Sequence, residues 1–355
     1  MPTLFGKMVA RRELQQLAGD LQQVAGIRLM TLAEGREAGV RIADVRTGSG
    51  LRFQVTLDRG MDLSMAEYKG MPIAWRSPEG DVHPSYFEPE GRGWLRSFPG
   101  GLMTGCGMTS AGADSEDGGE HPGLHGRLSH LPASTVTTQT RWAGTECVFT
   151  VRGRMRESVP FGTNLVLDRT IESFLGRSVI VFKDRVTNEG PVAAPFMILY
   201  HFNLGWPFVE EGSRLFLHET AVAPRDADAA AGSGGERECS GPIGGFREQV
   251  YYHDCVPDAD GHVTILCANS RINCGFFLRY RQRELPRFVE WKMMGEGMYV
   301  LGLEPANCLV EGRARERQAG TLQFLAPGEE RELLLQCGVV EGDELAEFIR
   351  KHRLT

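Results

Sequence analysis

None of the chain's eight cysteines forms a Cys-x-x-Cys pair, which argues against a zinc ribbon or a thioredoxin-type motif. Cys106, Cys147, Cys239, Cys255, Cys267, Cys274, Cys308 and Cys337 are scattered, as buried free thiols in a reducing compartment would be. Long runs of positive charge are also missing. With a net charge of −7 and a pI near 5.8, nothing offers a phosphate track, so no nucleic-acid partner is expected. No apolar run approaches the length of a membrane span. The opening MPTLFGKMVARRELQQL lacks the apolar core and small-residue cleavage site of a secretory signal. These absences predict a soluble, cytoplasmic protein that does not engage a membrane.

What is present is ordinary globular composition over 355 residues, with 44 glycines and 18 prolines suited to many short strands joined by tight turns. Leu51–Leu57, Cys147–Gly153 and Ser178–Val186 alternate at period two, as half-buried strands do. Further strand-like runs occupy 214–218, 263–267, 275–280, 288–294, 321–324 and 332–337. Leu14, Leu17, Leu21 and Val24 predict an amphipathic helix over 11–25, and Leu345, Phe348 and Ile349 another near the C-terminus. The reading is all-β, a single unit over 1–355, with a helical extension over 1–27 and a C-terminal helix over 342–355. Residues 226–245 (DADAAAGSGGERECSGPIGG) read as a low-complexity, mobile insertion. Two stretches, 78–101 and 101–133, read as ordered loops with something to hold.

Four segments set chemically competent residues beside apolar strands. Arg59, in LDRGMD, either forks onto hydroxyls or a carboxylate, or pairs with Asp62 to shape a turn. His125 and Arg127, in HPGLHGR, share a face if that segment is extended. His121 and His125 invite a metal reading, perhaps with Glu120, but the histidine spacing of metal-binding cupins is absent, so no metal is expected. His201 ends the apolar run FMILYHFNLGW; it is either a core histidine bonded to a carbonyl or a proton donor near neutral pH. Glu304 ends MYVLGLEPAN, where burial would raise its pKa toward that of a useful base; the alternative is an exposed strand-end carboxylate. Trp75, Trp206 and Trp291 each offer a ring face to a sugar or belong to the core.

The order of these segments resembles the aldose 1-epimerase (galactose mutarotase-like) superfamily. VTNEG followed by APFMILYHFNLGWP resembles the family's strand that delivers a catalytic histidine, implying that role for His201. VEWK and GLEPAN resemble its Trp-containing strand and the closing segment with the catalytic glutamate, here Glu304; LHGR resembles the His-Gly segment whose sugar-binding histidine is His125. LDRGMDLSMAEYKGMPIAWRSP and GGLMTGCGMTSAG look like a little-characterised bacterial branch of the superfamily. The resemblance implies a β-supersandwich with short helices decorating both termini, and acid–base interconversion of sugar anomers through ring opening, without cofactor. His201 is then the acid at the ring oxygen and Glu304 the base at the anomeric hydroxyl. Arg59, His125, Arg127, Trp206, Trp291 and Lys292 are the expected substrate-binding residues. The three cations among them point to a sugar acid or another anionic monosaccharide as readily as a neutral one. Alternatives are another sugar epimerase, isomerase or lyase on the same scaffold, or a non-catalytic carbohydrate-binding protein. A homodimer is one assembly this reading allows.

Overall fold

The period-two segments fold as strands. In Leu51–Thr56 the side chains of Leu51, Phe53 and Val55 are buried while Arg52 and Gln54 stay half-exposed, because successive side chains on a strand point to opposite faces. The computed structural model describes residues 1–354. Its strands assemble into two large antiparallel sheets and a small N-terminal hairpin.

The eight-stranded sheet runs, in spatial order, Arg214–Leu217, His262–Asn269, Cys274–Arg281, Glu330–Glu341, Val179–Asn188, Asn164–Phe174, Glu146–Ser158 and Ser134–Ala143. The twelve-stranded sheet runs Glu219–Pro224, Gln249–Cys255, Arg287–Gly295, Met298–Ala306, Ala194–Gly205, Met103–Met108, Asp62–Tyr68, Leu51–Thr56, Arg41–Arg46 and Gly26–Thr31. Two short strands, Met71–Pro72 and Gln323–Leu325, join it off that path.

The principal core lies between the sheets. Phe149, Ile171 and Phe182 come from one side, and Phe53, Tyr200, Phe202, Leu301 and Leu303 from the other. Phe182 meets Tyr200 and Phe202 edge-on, with centroids 6.2 and 6.3 Å apart. Each such ring contributes roughly 1.5–3 kcal/mol by leaving water. A buried polar link crosses the same space: the Tyr200 hydroxyl donates to Asp184 at 2.7 Å, and Arg169 donates to Asp184 and to the carbonyl of Gly60.

The N-terminal helix is shorter than its periodicity predicts. It spans Arg11–Leu17, and a separate 3-10 turn follows at Leu21–Gln23. Gly19-Asp20 interrupts it, and the Asp20 carboxylate accepts from the Gln22 amide and so starts the second turn. The helix Gly342–His352 lays Leu345, Phe348 and Ile349 against Phe277. Residues 226–245, expected to be a mobile insertion, carry a helix over Ala227–Ala231 and a buried Cys239. The Tyr299 hydroxyl bonds the Ser240 carbonyl, and the Ile243 amide bonds that of Met294. No helix among the described residues is long and apolar enough to cross a membrane.

Candidate active site

Alternation on two central strands decides which side chains leave the principal core. Tyr200 and Phe202 point between the sheets, so Leu199, His201 and Asn203 must point to the opposite face of the larger sheet. On the neighbouring strand, Leu301 and Leu303 take the core side and Glu304 takes the other. The antiparallel register sets Phe202 opposite Leu303, which brings His201, the residue before Phe202, beside Glu304, the residue after Leu303. Nε2 of His201 lies 3.2 Å from Oε1 of Glu304, with both side chains almost fully buried.

This pair lines a cavity of about 270 Å³. A smaller apolar cluster on that face of the sheet includes Trp75, Leu199 and Val300 together with two cavity-lining rings, Trp94 and Phe98. Three excursions from the strands form the walls. The first, between Val82 and Phe98, contributes Arg92, Trp94, Leu95 and Phe98; Trp94 and Phe98 stack with centroids 4.5 Å apart.

The second wall contributes Ala113, Asp114, Leu124 and His125. His125 sits in the left-handed region at φ 57°, its amide bonded to the Gly112 carbonyl at 2.7 Å. Gly126 follows at φ 70°, and a Cβ there would lie 2.2 Å from the Ser110 carbonyl oxygen, so the turn that aims His125 requires glycine. The imidazoles of His125 and His201 are edge-to-face, 5.8 Å apart.

The third wall is charged. Arg225 and Glu248 flank the 226–247 excursion, and the Arg225 amide bonds the Val250 carbonyl to close its neck. The Arg225 guanidinium donates to both Asp226 and Glu248, while the indole N–H of Trp291 donates to the other Glu248 oxygen at 3.0 Å. Trp291 packs 5.3 Å from His201, ring to ring. Room for it comes from Gly302, where a Cβ would stand 2.9 Å from the Trp291 Cβ and 3.1 Å from Oε1 of Glu304.

Burial dominates the electrostatics. It pushes the Glu304 pKa up to about 8, with the Glu248 charge adding to the rise and Arg225 opposing it. Burial pushes His201 down to about 3, helped by His125, and His125 itself down to about 4. At neutral pH the His201–Glu304 pair therefore holds one proton and no net charge. Nδ1 of His125, Nδ1 of His201 and Nε1 of Trp94 are buried and find no hydrogen-bond partner among the described residues. No group of three or more His, Cys, Asp or Glu side chains among those residues is arranged to hold a metal ion.

Of the residues expected at the site, His125, His201, Trp291 and Glu304 converge on the cavity. The other four do not line it. Arg59 is fully buried and bonds the carbonyls of Val82 and Ser97. Arg127 is exposed: the left-handed turn at His125-Gly126 breaks the extended geometry that would have set it beside His125. Lys292 must face away because Trp291 takes the cavity side; its ammonium bonds the carbonyls of Gly235 and Glu238. Trp206 lies past the end of its strand and is 70% exposed. The cations that suggested an anionic ligand are thus elsewhere; two other arginines line the cavity, Arg225, which already faces two carboxylates, and the exposed Arg92. Arg225 and Glu248 escaped the sequence reading because they flank a segment whose composition reads as filler. Their signal is positional: antiparallel pairing of Pro224 with Tyr251 brings the two ends of that segment together.

Residues 37–339 match the family described as Domain of unknown function (DUF4432), and the chain belongs to that family. Among solved structures it is similar to a candidate aldose 1-epimerase from Klebsiella pneumoniae subsp. pneumoniae, with a TM-score of 0.88 and 25% identity over 92% of this chain and 86% of that one. It is also similar to a galactose mutarotase-like protein from Clostridium acetobutylicum (TM-score 0.62, 12% identity, 90% of this chain and 100% of that one). A galactose 1-epimerase from Lactobacillus acidophilus NCFM is similar as well (TM-score 0.56, 14% identity, 90% and 99%). The fold is galactose mutarotase-like, as the order of segments in the sequence implied. No curated protein matches the sequence.

Proposed function

We propose that the protein interconverts the anomers of a free aldose by acid–base catalysis, with His201 and Glu304 as the reacting pair. The observation that carries this reading is their 3.2 Å contact inside the cavity. The ring oxygen and the anomeric hydroxyl are bonded to the same carbon, so an acid serving one and a base serving the other must be close neighbours. Glu304 takes the proton of the anomeric hydroxyl while His201 delivers one to the ring oxygen; the ring C–O bond breaks and the aldehyde forms. Rotation about C1–C2 and the reverse proton transfers close the ring on the other face.

The protons balance across the step. Ring opening leaves the proton on the Glu304 carboxyl and His201 neutral, the distribution that burial favours in the free protein. The reactive distribution, carboxylate beside imidazolium, carries the same single proton and is reached by transfer across the contact. Glu248 is suited to accept sugar hydroxyls, His125 to bond one more, and the ring face of Trp291 to stack on the pyranose. The likeness to aldose 1-epimerase-type structures agrees with this chemistry.

The test is exchange NMR on a panel of neutral and acidic aldoses, with wild-type protein and Glu304→Gln. Acceleration of anomer exchange that disappears in the variant is the expected result. No acceleration with any aldose would refute the assignment.

A further inference from the structure

We infer that Arg59 is a positioning residue that fixes two of the cavity's three walls at once, a role that rests on the anomer-exchange reading of the cavity. Its side chain is fully buried and does not reach the cavity, yet its donors go to both walls. One terminal nitrogen donates to the Val82 carbonyl at 2.5 Å; the other donates to the Ser97 carbonyl at 2.8 Å and to the Ser129 hydroxyl at 3.0 Å.

Val82 and Ser97 are the two ends of the excursion that carries Arg92, Trp94 and Leu95, and Phe98 follows directly. Ser129 belongs to the turn Leu128–His130, immediately after the left-handed step that aims His125. The guanidinium thus closes the base of the aromatic wall and ties it to the base of the histidine wall. A second contact runs parallel to it: Nε2 of His130 lies 2.8 Å from the Ser97 hydroxyl, and Phe87 stacks on the His130 ring at 3.9 Å between centroids. Burial lowers the pKa of Arg59, and the nearby carboxylates of Asp62 and Asp81 offset this in part.

A planar fork can reach acceptors on separate chain segments simultaneously, whereas an ammonium is a single point on a flexible stem. Lysine at 59 would keep the charge and lose the bridge. The cavity chemistry would survive and its shape would not.

The experiment uses full-length wild-type protein, Arg59→Lys and Ser129→Ala, read by hydrogen–deuterium exchange with mass spectrometry and by exchange NMR with D-galactose as the probe. In Arg59→Lys, exchange is expected to rise together in peptides covering 83–98 and 112–130, while the sheet strands keep wild-type protection. KM is expected to rise about tenfold or more through loss of charge-assisted hydrogen bonds at the walls, with kcat and its pH profile unchanged. Ser129→Ala is expected to loosen 124–130 alone. Wild-type protection of either wall in Arg59→Lys, loosening of the whole sheet, or a fall in kcat at unchanged KM would overturn the inference. If Arg59→Lys does not fold, unchanged protection of 124–130 in Ser129→Ala overturns it. The hydrogen-exchange arm needs no substrate, so it stands even where the anomer-exchange reading fails.

Discussion

Replacing Glu304 by glutamine is expected to cut anomer exchange sharply and, at alkaline pH, to make the protein more resistant to unfolding. Glu304 is 2% exposed, and burial moves its pKa from 4.5 up to about 8. Between those values the folded protein holds a proton that the unfolded chain has released. Stability therefore falls as pH rises through this window, and above about 8 the whole penalty is in force. At about 1.4 kcal/mol per pH unit, its ceiling is on the order of 5 kcal/mol. Glutamine has nearly the same shape and never ionises, so it escapes the penalty while weakening the contact with His201. The net gain at pH 9 is expected to be about 2–4 kcal/mol, against less than about 1 kcal/mol at pH 5, where the folded and unfolded carboxyls differ little. Urea unfolding at pH 5, 7 and 9 measures it, with unchanged m-values showing that the same surface is exposed. The exchange enhancement should fall by roughly 10²–10⁴, the usual contribution of a general base. A stability difference that stays constant from pH 5 to 9 would mean that Glu304 ionises in the fold like an exposed carboxylate, and the proton accounting above would collapse.

The high-pH limb of kcat/KM should lie near the Glu304 value of about 8. Glu248→Gln removes a charge that raises Glu304 and should move that limb to lower pH; Arg225→Gln removes one that lowers it and should move the limb to higher pH. Displacement of both in the same direction would exclude Glu304 as its origin. Gly302→Ala places a Cβ against Trp291 and the Glu304 carboxylate, and should cost about 1–3 kcal/mol in thermal or urea unfolding. It should also shift Trp291 fluorescence; unaltered stability and emission would show that the strand pair yields more easily than its contacts imply. Lys292→Met removes one of the ties between the 226–247 excursion and the sheet and should speed proteolysis within 232–239. Relative affinity for an aldose and its uronic acid should not change, and a selective loss of the acid would return Lys292 to the ligand site.

How much of this was legible depended on whether a residue's direction was set by a strand. Leu51–Thr56 and Val179–Asn188 declare their faces by alternation, and so do His201 and Glu304 once their strands are recognised. Lys292 obeys the same rule, and its neighbour Trp291 already held the cavity side. Arg59, Arg127 and Trp206 lie in turns, where residue type says what a side chain can bond but not where it points. The 78–101 and 101–133 stretches were readable as purposeful loops from their glycine, proline and aromatic content. That content did not single out Trp94 and Phe98 as the rings that meet over the cavity, because their contact depends on anchors such as Arg59 far along the chain.

The same division explains how one scaffold holds reactive groups still while its cavity remains open to change. The proposed acid–base pair, His201 and Glu304, stands on the two strands at the middle of the larger sheet, each hydrogen-bonded on both sides, with the principal core behind them. Moving either group by an ångström would require shifting a register held by many ladder bonds. The walls have no ladder behind them: Arg225 and Glu248 depend on a loop neck, His125 on a left-handed turn, and Trp94 and Phe98 on a few anchors that include the buried Arg59 guanidinium and the Ser97–His130 contact. On the proposed reading, substitution at the walls should therefore alter which sugar fits at a cost confined to the excursion concerned. Substitution beneath the pair, as at Gly302, reaches the strands themselves, so the chemistry and the stability of the sheet should fail together there and separate everywhere else.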